Sequence, residues 1–266
     1  MRNFIWIGLV LFYILIIVRH GVYEPYTDLK NIIPKTTRLD RFEDIQNVLY
    51  INLDKRTDRR EKAEQEFKRI GLKAQRVQAI KKDRGQLGCT LSHIKCLKIA
   101  KANNWDNVMI CEDDILFAKD AQLVRDRINT FLSRHKDWDV IVFGILVDEG
   151  IYMDDSAARI KKASCTTCYI VRKEYYDILL YNFKTSVKRM QGPVIAGNEI
   201  DRVWQSLQKR DNWMTILPII VIQNPSESSI HNDGILHDNQ VKMYDTLTNI
   251  KGYPESERVK SAKLFY

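Results

Sequence analysis

VLYINLDKRTDRREKAEQEFKRIG, residues 48–71, decides how the rest of the chain is read. Residues 48–51 are apolar, β-branched or aromatic without a break, the pattern of a strand buried on both faces. A polar stretch follows, in which Thr57 or Asp58 can cap a helix. Ala63, Phe67 and Ile70 then fall at i, i+4 and i+7, and Gly71 supplies a stop. A buried strand leading through a short turn into an amphipathic helix is the opening unit of a layered α/β domain.

The unit recurs downstream. RVQAI (residues 76–80) reads as a second strand, KKDRGQLG as a loop, and TLSHIKCLKIAKANNW as a second helix with Leu91, Ile94, Leu97 and Ala100 at helical spacing. NVMIC (107–111), DVIVFG (139–144) and CYIV (168–171) are further strands, with a charged helix over residues 121–133 between the first two. NEIDRVWQSL puts Ile200, Val203, Trp204 and Leu207 on one helical face ahead of the apolar run MTILPIIVI. This alternation predicts a doubly wound α/β fold with a mostly parallel, Rossmann-like sheet flanked by helices.

The two ends of the chain differ. Residues 4–18 (FIWIGLVLFYILIIV) carry no charge and are bracketed by Arg2, Arg19 and His20. As a helix they would cover roughly 22 Å, short of a hydrocarbon core of roughly 30 Å, a gap that snorkelling arginines narrow. RHGVYEPY after them offers no small-x-small cleavage site, so an N-terminal transmembrane anchor over residues 1–20 is expected rather than a removed signal peptide. Residues 21–46, mixed in proline and charge, read as a stem, and residues 47–266 as one catalytic-size domain. With 45% hydrophobic and 29% charged residues, composition excludes disorder and a multi-span membrane protein. The net charge of +8 suits an anionic partner. The basic residues lack the aromatic interleaving of a nucleic-acid module, so no nucleic-acid partner is expected. Five cysteines, an odd number, exclude a complete disulfide framework, and the single C-x-x-C of Cys165 and Cys168 has no second pair with which to build a zinc site.

Ligands of open α/β sheets sit at the carboxyl ends of strands, where Glu112, Asp113 and Asp114 follow NVMIC. Three adjacent carboxylates repel one another unless a cation neutralises them, and Mg²⁺ or Mn²⁺ takes oxygen ligands and bridges phosphates. Acids also cap helices, which is the bland alternative for this cluster.

INLDKRTDRRE, GCTLSHIKCLKIA and VMICEDDI, in that order and spacing, resemble glycosyltransferase family 25, which includes lipopolysaccharide sugar transferases and collagen galactosyltransferases. Cys111 stands where the family pattern has leucine. QNPSESSI resembles a family segment in which aspartate stands at the position of Ser229. The resemblance covers roughly residues 47–232 and implies a GT-A type domain that takes a UDP-sugar donor with a divalent ion, often Mn²⁺, and a protein or glycan acceptor. It makes Glu112, Asp113 and Asp114 the acidic motif, and puts Asn52, Arg56, Arg59 and Arg60 on nucleotide-facing positions. Ser92 and His93 then cap the helix and touch the donor pocket. They do not form a hydrolase pair, because consecutive helical residues diverge by about 100° and no G-x-S-x-G elbow is present.

An inverting transferase needs a base for the acceptor hydroxyl, and Glu199 and Asp201 are the candidates. Acids at a helix start also stabilise its dipole, which is their structural alternative. His231 or His237, the former better placed, could complete the metal shell with Glu112 and Asp114. The functional expectation is a metal-dependent hexosyltransferase, galactose or glucose being the expected sugar. It would be membrane-tethered, with the domain on the lumenal side of a secretory compartment. A catalytically inactive, membrane-tethered binding module for nucleotide sugar or glycan is the competing expectation.

Overall fold

The computed structural model describes residues 39–265, apart from Val194, Pro225, residues 228–235 and Asp238. The expected anchor over residues 1–20, Ser229 and His231 lie outside the described residues. Among those described, no helix is long and apolar enough to cross a membrane. The folded part reaches back into the segment read as stem, because Leu39, Phe42 and Ile45 are buried and the Phe42 amide donates to Asn129 Oδ1 at 2.7 Å.

Strand β1 (Val48–Asn52) is buried at every position and leads into helix α1 (Thr57–Ile70), whose buried face includes Ala63, Phe67 and Ile70, as the spacing required. Gly71 closes the helix in the left-handed conformation at φ 87°, where a side chain would be strained. Strand β2 (Ala74–Gln78) and helix α2 (Gly85–Ala102) follow, then strands β3 (Asn107–Glu112) and β4 (Ile115–Phe117) and helix α3 (Ala121–Arg134). The middle of the chain supplies β5 (Val140–Phe143), β6 (Leu146–Asp154), β7 (Ala157–Ser164), β8 (Cys168–Arg172) and helix α4 (Tyr176–Met190). Two short helices, α5 (Ile200–Val203) and α6 (Gln205–Arg210), precede β9 (Trp213–Ile216) and β10 (Val221–Gln223).

With β11 (Ile250–Lys251), the main sheet runs β11-β6-β7-β9-β5-β8-β3-β1-β2. It is mixed. β1 pairs in parallel with both β2 and β3, as expected of a doubly wound half, and β5 with β9. β8 runs antiparallel to β3 and β5, and β6 and β7 form an antiparallel hairpin, so the mostly parallel expectation describes the half of the sheet that begins the chain. The sequence hid the hairpin because β-bulges between Val147 and Glu149 and between Tyr152 and Asp154 break the period-2 alternation that marks a half-exposed strand. The apolar run MTILPIIVI is split as well: Pro218, with no amide hydrogen for a ladder, lies between β9 in the main sheet and β10, which pairs with β4.

Helix α2 crosses from β2 at the edge to β3 on the far side of β1, making the crossover that opens a crevice at the carboxyl ends of β1 and β3. Its face is wide, with Ile94, Cys96, Leu97 and Ala100 all buried, because it packs on the sheet and against α4. Gly88 sets how close it comes: a Cβ there would lie 2.4 Å from the Ile80 carbonyl oxygen. Gly88→Ala must push the helix away from the segment that follows β2, and we expect it to lower unfolding free energy by about 1–3 kcal/mol in a urea titration; an unchanged midpoint would contradict this packing.

Candidate functional site

The chain reaches the crevice from several elements at once. Asn52 ends β1, buried, and its Nδ2 donates to the Arg56 carbonyl at 3.0 Å and to Asp113 Oδ2 at 2.7 Å. Its Oδ1 accepts from Arg76 Nε at 3.0 Å. Arg59, in the first turns of α1, is nearly buried and places Nη1 2.9 Å from Asp113 Oδ1 and 3.0 Å from Asp114 Oδ2. One guanidinium nitrogen therefore bridges two adjacent carboxylates with charge-assisted hydrogen bonds. Gln223 Nε2, at the end of β10, donates to Asp114 Oδ2 at 3.1 Å, and the Asn224 amide donates to the Asp114 carbonyl at 2.6 Å.

Glu112 turns the other way, toward α2. Thr166 Oγ1 donates to its Oε1, and His93 Nε2 lies 3.6 Å from the same oxygen. His93 is fully buried, stacks on Tyr169 and meets the Tyr169 hydroxyl through Nδ1 at 3.2 Å. Ser92 is structural in its contacts, its hydroxyl accepting the Ile80 amide at 2.8 Å and donating to the Gly88 carbonyl at 2.7 Å. It nevertheless lines the crevice together with His93.

A pocket of about 320 Å³ occupies this crevice, with Lys55, Arg59, Lys81 and Lys82 around a floor that includes Glu112 and Asp113. Of the other arginines expected here, Arg56 pairs with Asp58 at 2.8 Å. Arg60 points away and pairs with Glu64 at 2.9 Å, half exposed, because the residue after Arg59 leaves the helix about 100° round. Glu199 stands at the N-cap of α5 without capping through its side chain, and its Oε2 is buried with no hydrogen-bond partner. Asp201 accepts the Cys165 amide at 3.0 Å, which helps hold Cys165 at φ 73°, a conformation that residues other than glycine rarely adopt.

Charges in the crevice act on one another. Burial, with Glu112 and Asp113 adding and Arg59 opposing, pushes the Asp114 carboxyl up to about 7. Burial pushes Asp113 up too, against Arg59 and Asn52. Burial would raise Glu112 as well, but the His93 and Thr166 contacts outweigh it and hold this carboxyl below its usual range. Asp201 is raised by burial, with Glu199 and Glu112 contributing.

A hard divalent ion fits the acids in part. Asp113 has both oxygens engaged by Arg59 and Asn52, whereas Asp114 Oδ1 is buried with no hydrogen-bond partner, a carboxylate oxygen that a cation could take up. Among the described residues, the group whose ligand atoms converge within 4.8 Å is Cys89, His93 and Glu112. Cys89, Thr166, Arg76 and Gln223 are the site members that sequence reading missed. The Cys89–His93 spacing of i, i+4 on α2 was a visible signal for one of them. Cys165 and Cys168 diverge, Cys168 packing its Sγ 3.4 Å from Cys111 Sγ in the core.

Residues 83–214 match the family model described as glycosyltransferase family 25 (LPS biosynthesis protein). A "Glycosyltransferase 25 family member" from Aedes aegypti is 28% identical over 162 residues, which is 48% of this chain and 26% of that protein. The chain thus spans about a quarter of that relative's length. Among solved structures, galactosyltransferase LgtC in complex with donor and acceptor sugar analogs is 12% identical at a TM-score of 0.40, covering 80% of this chain and 99% of that one. A glycosyltransferase involved in glycosylation of the PBCV-1 major capsid is 12% identical at a TM-score of 0.33, covering 65% and 92%.

Removing the Arg59 charge leaves two buried carboxylates without compensation, and Arg59→Met should cost about 3–5 kcal/mol near pH 8. Asp114 has its folded pKa, about 7, above the carboxylate model value of 3.8, so the folded state binds more protons between those values and stability falls as pH rises through that window. The Arg59→Met loss should therefore shrink at about pH 5, where Asp114 is protonated and less in need of a cation. Urea titrations of both chains at the two pH values check this; an equal loss at both would contradict the assignment.

Proposed function

Residues 83–214 belong to glycosyltransferase family 25, and from that premise we propose that the protein transfers a hexose, galactose or glucose, from a UDP-sugar to a hydroxyl of a protein or glycan acceptor. The observation that carries this reading is the pocket at the ends of β1 and β3, where Lys55, Arg59, Lys81 and Lys82 surround an acidic floor. Four cations around one crevice suit the charge of a nucleoside diphosphate, and arginine adds directed hydrogen bonds to phosphate oxygens. Asn52, fixed by its bonds to Arg56, Asp113 and Arg76, holds the Asp113 carboxylate of the pocket in place from behind.

A divalent ion, Mn²⁺ or Mg²⁺, held by Glu112 and Asp114 would offset negative charge developing on the departing diphosphate. The unpartnered, buried Asp114 Oδ1 supports that assignment. Arg59 keeps Asp113 and Asp114 in fixed orientations whatever else binds, which is the preorganisation that transition-state stabilisation requires. Of the two carboxylates considered as base, we favour Asp201, a carboxyl raised by burial that accepts the Cys165 amide at 3.0 Å. A carboxyl raised by burial is also a stronger proton acceptor for an acceptor hydroxyl. The uncharged run over residues 4–18 supports a membrane tether; its flanking charges do not set the sidedness, and a lumenal domain is the topology proposed with it.

Donor hydrolysis tests the reading. The purified full chain, given a panel of nucleotide sugars with Mn²⁺ present or chelated, should release UDP from one donor only with the ion. Asp114→Ala should lower that rate by at least about a hundredfold with circular dichroism unchanged. No release and no binding of any donor would overturn the transferase reading; binding without turnover would move it to a nucleotide-sugar binding module.

A further inference from the structure

We propose that Cys89 Sγ, His93 Nε2 and a Glu112 carboxylate oxygen form a second kind of cation site, selective for a thiophilic divalent ion of the Zn²⁺ class, with its fourth position open to the pocket. The inference does not rest on the transferase reading, although it shares Glu112 with it.

The three ligand atoms lie within 4.8 Å of one another. Zinc bonds of about 2.0–2.3 Å place tetrahedral ligands about 3–4 Å apart, so a small side-chain adjustment closes the site. Two ligands come from one helix: Cys89 and His93 are four residues apart on α2 and share its face. Glu112 arrives from the end of β3, so all three stand on regular elements.

His93 is the group that points to a ligand. It is fully buried, and its ring orientation is set by Tyr169, which stacks on it and takes the Nδ1 side. Nε2 is left with no hydrogen-bond partner and faces Glu112 at 3.6 Å, too long for a hydrogen bond and the arrangement of a ring nitrogen waiting for an ion. Thr166, donating to Glu112, and Tyr169, fixing His93, stand where the outer hydrogen bonds of a metal site normally stand. The donor set is also chemically different from an all-oxygen site: a thiolate and an imidazole with one carboxylate favour zinc or cobalt over magnesium or calcium. On binding, the Cys89 Sγ–H proton is released to solvent and the thiolate pair goes to the metal. Because Glu112 belongs to both donor sets, a thiophilic ion here and a hard ion on Glu112 and Asp114 would compete for one carboxylate.

Cobalt is the probe, since a thiolate bound to Co²⁺ gives a charge-transfer band in the near ultraviolet and zinc does not. The full chain, stripped with chelator and titrated with Co²⁺ in the absence of any nucleotide sugar, should develop that band with about one equivalent and lose it on adding Zn²⁺. Cys89→Ser should abolish the band, and His93→Gln, which removes a direct ligand, should weaken Co²⁺ binding by more than the roughly 10–100-fold typical of an outer-shell change, with circular dichroism confirming that each chain is folded. Cys165→Ser, a change at a neighbouring thiol, should leave the band in place. No charge-transfer band in the wild-type chain, or a band that survives Cys89→Ser, would overturn the site. Neither result depends on donor turnover, so failure here and failure of the transferase reading are separable.

Discussion

The crevice is organised by one guanidinium. Arg59 Nη1 contacts Asp113 and Asp114 at 2.9 and 3.0 Å, in a place where all three side chains are nearly closed to solvent. Three consecutive acids at the end of a buried strand would repel one another strongly in a low-dielectric setting, and breaking such a compensated cluster leaves charge with nowhere to go. By coming from α1, the cation does more than neutralise. It ties the first helix to the third strand, Asn52 ties β1 into the same network, and Gln223 ties in β10. Because Asp113 and Asp114 are drawn to Arg59, Glu112 alone faces α2, and the acidic run is divided between two environments.

The second environment depends on close approach. Gly88 lets α2 sit against the Ile80 carbonyl, and Ser92 uses its hydroxyl to satisfy the Ile80 amide and the Gly88 carbonyl at that contact. The same helix then presents Cys89 and His93 to Glu112. A stretch that reads as one motif, glycine, cysteine, serine and histidine, thus splits physically: glycine and serine set the helix position, and cysteine and histidine face the pocket.

Much of this was legible in residues alone. The strand and helix from Val48 to Gly71, the buried positions of α1 and the acids at the end of β3 all followed from periodicity, since each is a local pattern. Arg59 and Arg60 could not be told apart by type; which one turns inward depends on the helix start, and only Arg59 reaches the acids. The β6–β7 hairpin was hidden by its bulges. Thr166 and Gln223 escaped because their partners are 54 and 109 residues away, and nothing local to either marks it as facing an acid. Their roles come from chain crossings, which no short window records.

The claim on which the account turns is that this crevice holds the diphosphate of a nucleotide sugar, and a crystal structure of the full chain with a UDP-hexose and Mn²⁺ measures it most directly. The account predicts the diphosphate among Lys55, Arg59, Lys81 and Lys82, at the ends of β1 and β3. A nucleotide sugar bound on another face of the sheet, with this crevice filled only by solvent, would contradict it.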